Sequence, residues 1–306
     1  MRPALRGALL LLVGIASCAS DPNLPGYELE LRFGVVPDGL SLGRISAVAV
    51  DSAGDVYAFQ RGAKVDPILV FDANGKFLRS WGRGLFGNPH GIRIDGDDHV
   101  WVTDSGDHQV LQFTKEGRLL RTLGIRGKSG TGDGSFDGPT DIAFALSGEF
   151  YVSDGYGNSR VVKFSRDGKV LRTWGREGTG PGEFDLPHSI AVDSKGRVYV
   201  SDRENNRIQI FDADGRFLRQ WTHLGATQWI SITSQDDLWL LAYRNNVEIQ
   251  SEEKLAGRIL HIDLESGAVL GSLESPGHGI HAGRSGEIFV AGLTGNLLLW
   301  HPARPR

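Results

Sequence analysis

Short runs in which apolar and polar residues alternate recur along most of the chain, separated by Gly/Asp turns. Gly91-Ile92-Arg93-Ile94-Asp95 leads through such a turn into Val100-Trp101-Val102-Thr103-Asp104. Gln109-Val110-Leu111-Gln112-Phe113 follows, and after the Gly117 turn Leu120-Arg121-Thr122-Leu123-Gly124 closes the series. A period of two is the period of a strand, and no stretch holds a helical period for long. The same series overlays residues 44–82, 87–124, 138–175 and 186–221. Four antiparallel strands per unit of roughly 40 to 50 residues predict a blade of an all-β propeller. A degenerate fifth unit covers residues 226–274, and a sixth, from 275, has three evident strands. The alternating Tyr27-Glu28-Leu29-Glu30-Leu31-Arg32-Phe33 supplies the missing outer strand, which closes the ring and removes an open edge. The expected fold is a six-bladed β-propeller over residues 27–306, with seven blades as the alternative.

The start of the chain breaks this pattern. Arg2 and Arg6 precede an apolar run over residues 8–16, too short to span a membrane and suited to a secretory signal. Ile15-Ala16-Ser17-Cys18 resembles a bacterial lipobox, so residues 1–17 read as a signal peptide of lipoprotein type, with Cys18 lipidated at the new N-terminus. Residues 18–26 then read as a tether. The expectation is an exported protein, anchored by lipid at the cell envelope on the periplasmic or outer-surface side. An ordinary cleaved signal with an incidental cysteine is the alternative. Cys18 is the single cysteine, which excludes an intrachain disulfide.

Composition narrows the class further. With one Met and one Cys, the core is left to Val, Ile, Leu, Phe and Trp, and the 42 Gly match a turn-rich β fold. A net charge of -4 gives no basic footprint for nucleic acid. No later apolar run reaches membrane-spanning length, and a monomer is expected.

The candidate chemistry lies in three histidines. Asn88-Pro89-His90-Gly91-Ile92 recurs as Leu186-Pro187-His188-Ser189-Ile190 and, more loosely, as Pro276-Gly277-His278-Gly279-Ile280. The steps are 98 residues from 90 to 188 and 90 residues from 188 to 278, two units each. The equivalent position in the six units holds Ser46, His90, Thr140, His188, Gln228 and His278. Alternate blades stand about 120° apart in a six-fold ring, so three imidazoles converge on the axis. Three neutral His with an open fourth position describe a catalytic zinc site, although iron, cobalt or manganese also suit imidazole. The other six histidines read as structural or solvated, with His281 on the opposite side of its strand from His278.

The repeats resemble the NHL family through Tyr151-Val152-Ser153-Asp154 with Asn158 and Arg160, and Tyr199-Val200-Ser201-Asp202 with Asn206 and Arg207. These polar residues are expected to hold each blade together. More specifically, three segments resemble the peptidyl-α-hydroxyglycine α-amidating lyase family. They are Pro89-His90-Gly91 through Asp104 to His108-Gln109-Val110, Pro139-Thr140-Asp141 with Ser153-Asp154-Gly155-Tyr156-Gly157-Asn158-Ser159-Arg160, and Pro187-His188-Ser189 with Asp202-Arg203-Glu204-Asn205-Asn206-Arg207.

That resemblance implies a carbon–nitrogen lyase that splits a peptidyl-α-hydroxyglycine into a peptide amide and glyoxylate. It makes His90, His188 and His278 zinc ligands, Tyr156 the catalytic tyrosine, and Arg61 and Arg203 active-site arginines. It also implies a structural calcium on the backbone carbonyls of Val48 and Ile92, but Gly279 stands where the family has the carboxylate ligand, which argues against that ion. Gly277 replaces the family's proline, and the strand-two Asp is absent from Phe289-Val290-Ala291-Gly292. Two other readings remain. One is an anchored NHL propeller that binds a peptide or envelope partner without catalysis. The other is a related metalloenzyme with a changed substrate.

Overall fold

The computed structural model describes residues 21–37, 42–244 and 257–303. Cys18 and the signal-like segment lie outside them. The described residues form six four-stranded antiparallel sheets in a ring. Strand β1 is Tyr27–Phe33. Blade one comprises β2 (Ile45–Val50), β3 (Val56–Gln60), β4 (Ile68–Phe71) and β5 (Phe77–Trp81). Blade two comprises β6 (Pro89–Ile94), β7 (Val100–Asp104), β8 (Gln109–Phe113) and β9 (Leu119–Leu123). Blade three comprises β10 (Pro139–Phe144), β11 (Phe150–Asp154), β12 (Arg160–Phe164) and β13 (Val170–Trp174). Blade four comprises β14 (Pro187–Val192), β15 (Val198–Asp202), β16 (Arg207–Phe211) and β17 (Phe217–Trp221). Blade five comprises β18 (Ala226–Ile232), β19 (Leu238–Tyr243), β20 (Gly257–Ile262) and β21 (Val269–Glu274).

The sixth blade is the expected composite. Its order is β1-β24-β23-β22, with β22 at Gly279–Ala282, β23 at Ile288–Ala291 and β24 at Leu297–Pro302. Tyr27 pairs with Pro302, and Leu29 with Trp300, so the N-terminal strand closes the ring from outside. The six-blade expectation holds. Residues 21–26, read as tether, instead run along the outside of blade five. Asn23 forms a parallel bridge to Ser272, and Asp21 pairs with Arg258.

The repeat endings have a packing reason. The Trp at the end of an outer strand lies against a turn glycine of the next blade. A Cβ added at Gly117 would meet the Trp81 ring at 2.6 Å, one at Gly215 would meet Trp174 at 2.5 Å, and one at Gly267 would meet Trp221 at 2.4 Å. Truncating such a tryptophan to Ala typically costs about 3–5 kcal/mol. The repeat's Asp residues hold the loops that lead into the inner strands. Asp104 accepts the N–H groups of Gly87 (2.7 Å), Asn88 (2.8 Å), Gly106 (3.0 Å) and Asp107 (3.1 Å). Asp202 binds the Asp185 N–H at 2.7 Å and Arg207 Nε at 2.7 Å, with Asn205 at 3.0 Å. Asn205 therefore does the work expected of Asn206. Asn206 takes a left-handed φ of 53° in the turn, and its side chain donates to the Glu204 carbonyl.

Candidate metal centre

The inner strands of blades one to five each begin with a β-bulge, and the bulges at His90 and His188 explain two of the three histidines. In the first four blades the register slips at Ser46, His90, Thr140 and His188, and in blade five at Gln228. A bulge redirects one side chain out of the pleat. At His90 and His188 it turns the imidazole toward the axis, and His278 reaches the same place from just before β22. The ring centroids lie 4.9, 5.0 and 5.1 Å apart, and one ligand-capable nitrogen of each ring lies within 4.8 Å of the others. His90 and His188 are fully buried, and His278 is 5% exposed.

Odd blades orient the rings carried by even ones. Nδ1 of His90 lies 2.6 Å from the Thr140 carbonyl, that of His188 lies 2.7 Å from the Gln228 carbonyl, and that of His278 lies 2.7 Å from the Ser46 carbonyl. A carbonyl can only accept, so each Nδ1 carries the proton and each Nε2 presents a lone pair to the axis. Burial pushes the His90 and His188 imidazoles well below their usual range, aided at His90 first by His278 and at His188 by Arg203. Burial, then Arg61, pushes His278 down to about 3. All three are therefore neutral near pH 7, the protonation state a metal needs. This donor set fits zinc: three clustered imidazoles, each with its Nδ1 tied to a carbonyl and its Nε2 free to bind.

The expected partners converge on the same point. Tyr156, in the β11–β12 loop, places its hydroxyl 3.0 Å from His90 Nε2 and 3.4 Å from His188 Nε2, while the residue as a whole is 45% exposed. Arg61 follows β3 and donates from Nε to the Pro89 carbonyl at 2.7 Å. Its Nη2 is buried and has no hydrogen-bond partner among the described residues. Burial lowers the guanidinium from its ordinary value, and Tyr156 acts the other way. Arg203 is held by Glu204 at 2.7 Å, and its charge depresses all three imidazoles.

The residues at the implied calcium position do not fit a calcium ion. Gly279 offers no carboxylate, and a Cβ added there would stand 3.5 Å from Trp229 Cδ2. Trp229 is fully buried and lies 6.1, 6.2 and 5.9 Å from His90, His188 and His278, beneath all three rings. The Arg93 guanidinium sits 5.1 Å from the indole, paired with Asp141 at 2.7 Å and donating to the Ile230 carbonyl at 2.8 Å. Sequence reasoning did not find Trp229 or Arg93 as axis residues. The available signal was Trp229's place immediately after Gln228, the blade-five counterpart of the histidines.

The NHL repeat family model matches residues 86–113, 136–164 and 184–211. Over 163 residues the chain is 34% identical to peptidyl-alpha-hydroxyglycine alpha-amidating lyase 1 of Drosophila melanogaster, which covers 45% of this chain and 30% of the relative. It is 42% identical over 192 residues to NHL repeat-containing protein 3 of Mus musculus, which covers 58% of this chain and 55% of that protein. In each case the chain spans less than two thirds of the relative's own length. Among solved structures, a streptogramin B lyase superposes with a TM-score of 0.61 at 16% identity, covering 90% of this chain and 97% of the other, which supports the fold alone.

Proposed function

Taking an NHL-repeat β-propeller with curated relatives named as amidating lyases as the premise, we propose that this protein is a zinc-dependent carbon–nitrogen lyase acting on peptidyl-α-hydroxyglycine-type substrates. The observation that carries the reading is the Tyr156 hydroxyl within reach of two of three clustered Nε2 atoms, those of His90 and His188, while all three rings commit their Nδ1 protons to carbonyls.

The reaction turns an N-acyl-α-hydroxyglycine into the acyl amide and glyoxylate. The hydroxyl proton leaves oxygen, the C–N bond breaks, and the amide nitrogen gains a proton. No water is consumed. Tyr156 is placed to take the hydroxyl proton and to return one to the nitrogen. Arg61 offers its unpaired Nη2 to the substrate carboxylate, where a charge-assisted hydrogen bond also relieves a buried donor. Arg203 adds a second cation, steadied by Glu204. Bound zinc would supply the positive charge that lowers the pKa of a coordinated hydroxyl.

Purified zinc-loaded protein should release glyoxylate from α-hydroxyhippurate; release no greater than that of metal-free protein would end the lyase reading. Tyr156→Phe should keep its zinc and lose roughly 10²- to 10⁴-fold in turnover. A second reading, a metalloenzyme with a changed substrate, draws support from Gly277 and Gly279 beside the third histidine and from the relative named only for its repeats. Turnover of simple esters or lactones without glyoxylate release would favour it. We also propose export and lipid anchoring at Cys18. Metabolic labelling with a fatty-acid probe should mark the wild type, and Cys18→Ala should lose the label.

A further inference from the structure

The peptide group before each candidate ligand is gripped from the preceding odd blade. The Pro89 carbonyl receives Arg61 Nε at 2.7 Å, from blade one. The Pro187 carbonyl receives the Thr140 hydroxyl at 2.8 Å, from blade three. The Gly277 carbonyl receives the Tyr243 hydroxyl, from the end of β19 in blade five. Only the third grip is doubled, because the Gly277 N–H also donates to the Tyr243 oxygen at 3.3 Å.

The doubling matches what blade six lacks. Proline fixes φ and carries no N–H, so residues 89 and 187 hold their own conformation and leave no donor to satisfy. Glycine is the least restrained residue, and its buried N–H needs a partner. A side chain at residue 277 would force a shift: a Cβ there would lie 2.3 Å from Val290 Cγ1. Blade six also has no counterpart of Asp104 or Asp202 to hold the loop ahead of its histidine. Tyr243 is 4% exposed, and its ring occupies room left by Gly257, where a Cβ would meet Tyr243 Cε1 at 2.9 Å.

We infer that Tyr243 is a positioning residue for His278: its hydroxyl, taken by both polar atoms of Gly277, sets the position from which the third metal ligand reaches the axis. The inference rests on the three-histidine metal reading. A merely structural tyrosine would contribute to folding and leave metal affinity untouched, and Tyr199 supplies that control. Its ring is fully buried and its hydroxyl donates to Asp193 at 3.1 Å, away from the histidines.

The test compares full-length wild type, Tyr243→Phe and Tyr199→Phe. Zinc affinity is measured by competition with a chromophoric chelator, and folding by circular dichroism of the metal-free proteins. The expected result is a 10- to 100-fold loss of zinc affinity in Tyr243→Phe, the range for removal of an outer partner of a ligand, with folding retained. Tyr199→Phe should bind zinc like wild type. Equal affinity in wild type and Tyr243→Phe, or an equal loss in both variants, overturns the inference. Failure of wild type itself to bind zinc would instead remove the metal reading, and the inference with it.

Discussion

Blades two and four bring their histidines to the axis by one construction, and blade six by another. In the first pair, a proline precedes the histidine, a buried strand-two Asp holds the preceding loop, and the inner strand begins at that proline. In blade six a glycine precedes the histidine, Gly292 stands where the Asp would be, and β22 begins only after His278. All three imidazoles nevertheless arrive within 5.1 Å of one another and make the same Nδ1 bond to the next blade. The shared element is the link between neighbouring blades, which fixes ring direction. The way the strand start is held can vary, because only its position reaches the site.

If the two constructions are equivalent at the axis, His188→Ala and His278→Ala should each lower zinc affinity by at least about 100-fold, beyond the usual loss for an outer partner. Near-normal zinc content in His278→Ala would reduce blade six to a bystander. The constructions should differ in stability. Asp202→Ala strands a buried Arg207 and should cost about 3–5 kcal/mol in urea unfolding, while Gly292→Asp should bring no comparable gain. A smaller loss, about 1–3 kcal/mol, is expected for Gly277→Ala from the contact with Val290. Adding Val290→Ala should give a less than additive total, since one change makes room for the other.

A further effect concerns pH. Burial, then Arg93, pushes His281 of β22 down to about 4 from an ordinary 6.5. Between those values the unfolded chain binds more protons than the folded one, so stability rises with pH across that window and falls on acidification through it. His281→Gln should flatten that acid limb in chemical unfolding of the metal-free protein. An unchanged slope would show that His281 is already protonated in the fold.

Much of this was legible in the chain because the repeat acts as a ruler. The blade count, the closing strand Tyr27–Phe33 and the depth of His278 all follow from aligning one unit on the next. Local polar partners were legible to within one residue: Asn205 holds Asp202 because Asn206 is committed to a left-handed turn. Trp229, Arg93 and Tyr243 were not legible as parts of the centre. Their roles depend on which side chain fills the axis, and on a hydroxyl from one blade meeting a glycine in the next. Neither relation has a period. Residues 21–26 look like a linker in composition, yet Leu24 donates its N–H to the Ser272 carbonyl at 3.0 Å, a backbone contact that residue types do not announce.

The indole of Trp229 makes the propeller a cup rather than a pipe. A hole through the axis would let one molecule leave by the far side while the next arrived. Here the floor is an aromatic ring with an ion pair beneath it, and the small cavity of about 170 Å³ around Arg93 and His281 shares no residue with the proposed site. On the proposed reading, a substrate that enters past Tyr156 leaves past Tyr156. A reaction that yields two fragments at this depth would therefore have to let them out in turn, and the one lodged nearer the imidazoles would wait for the other to clear the mouth.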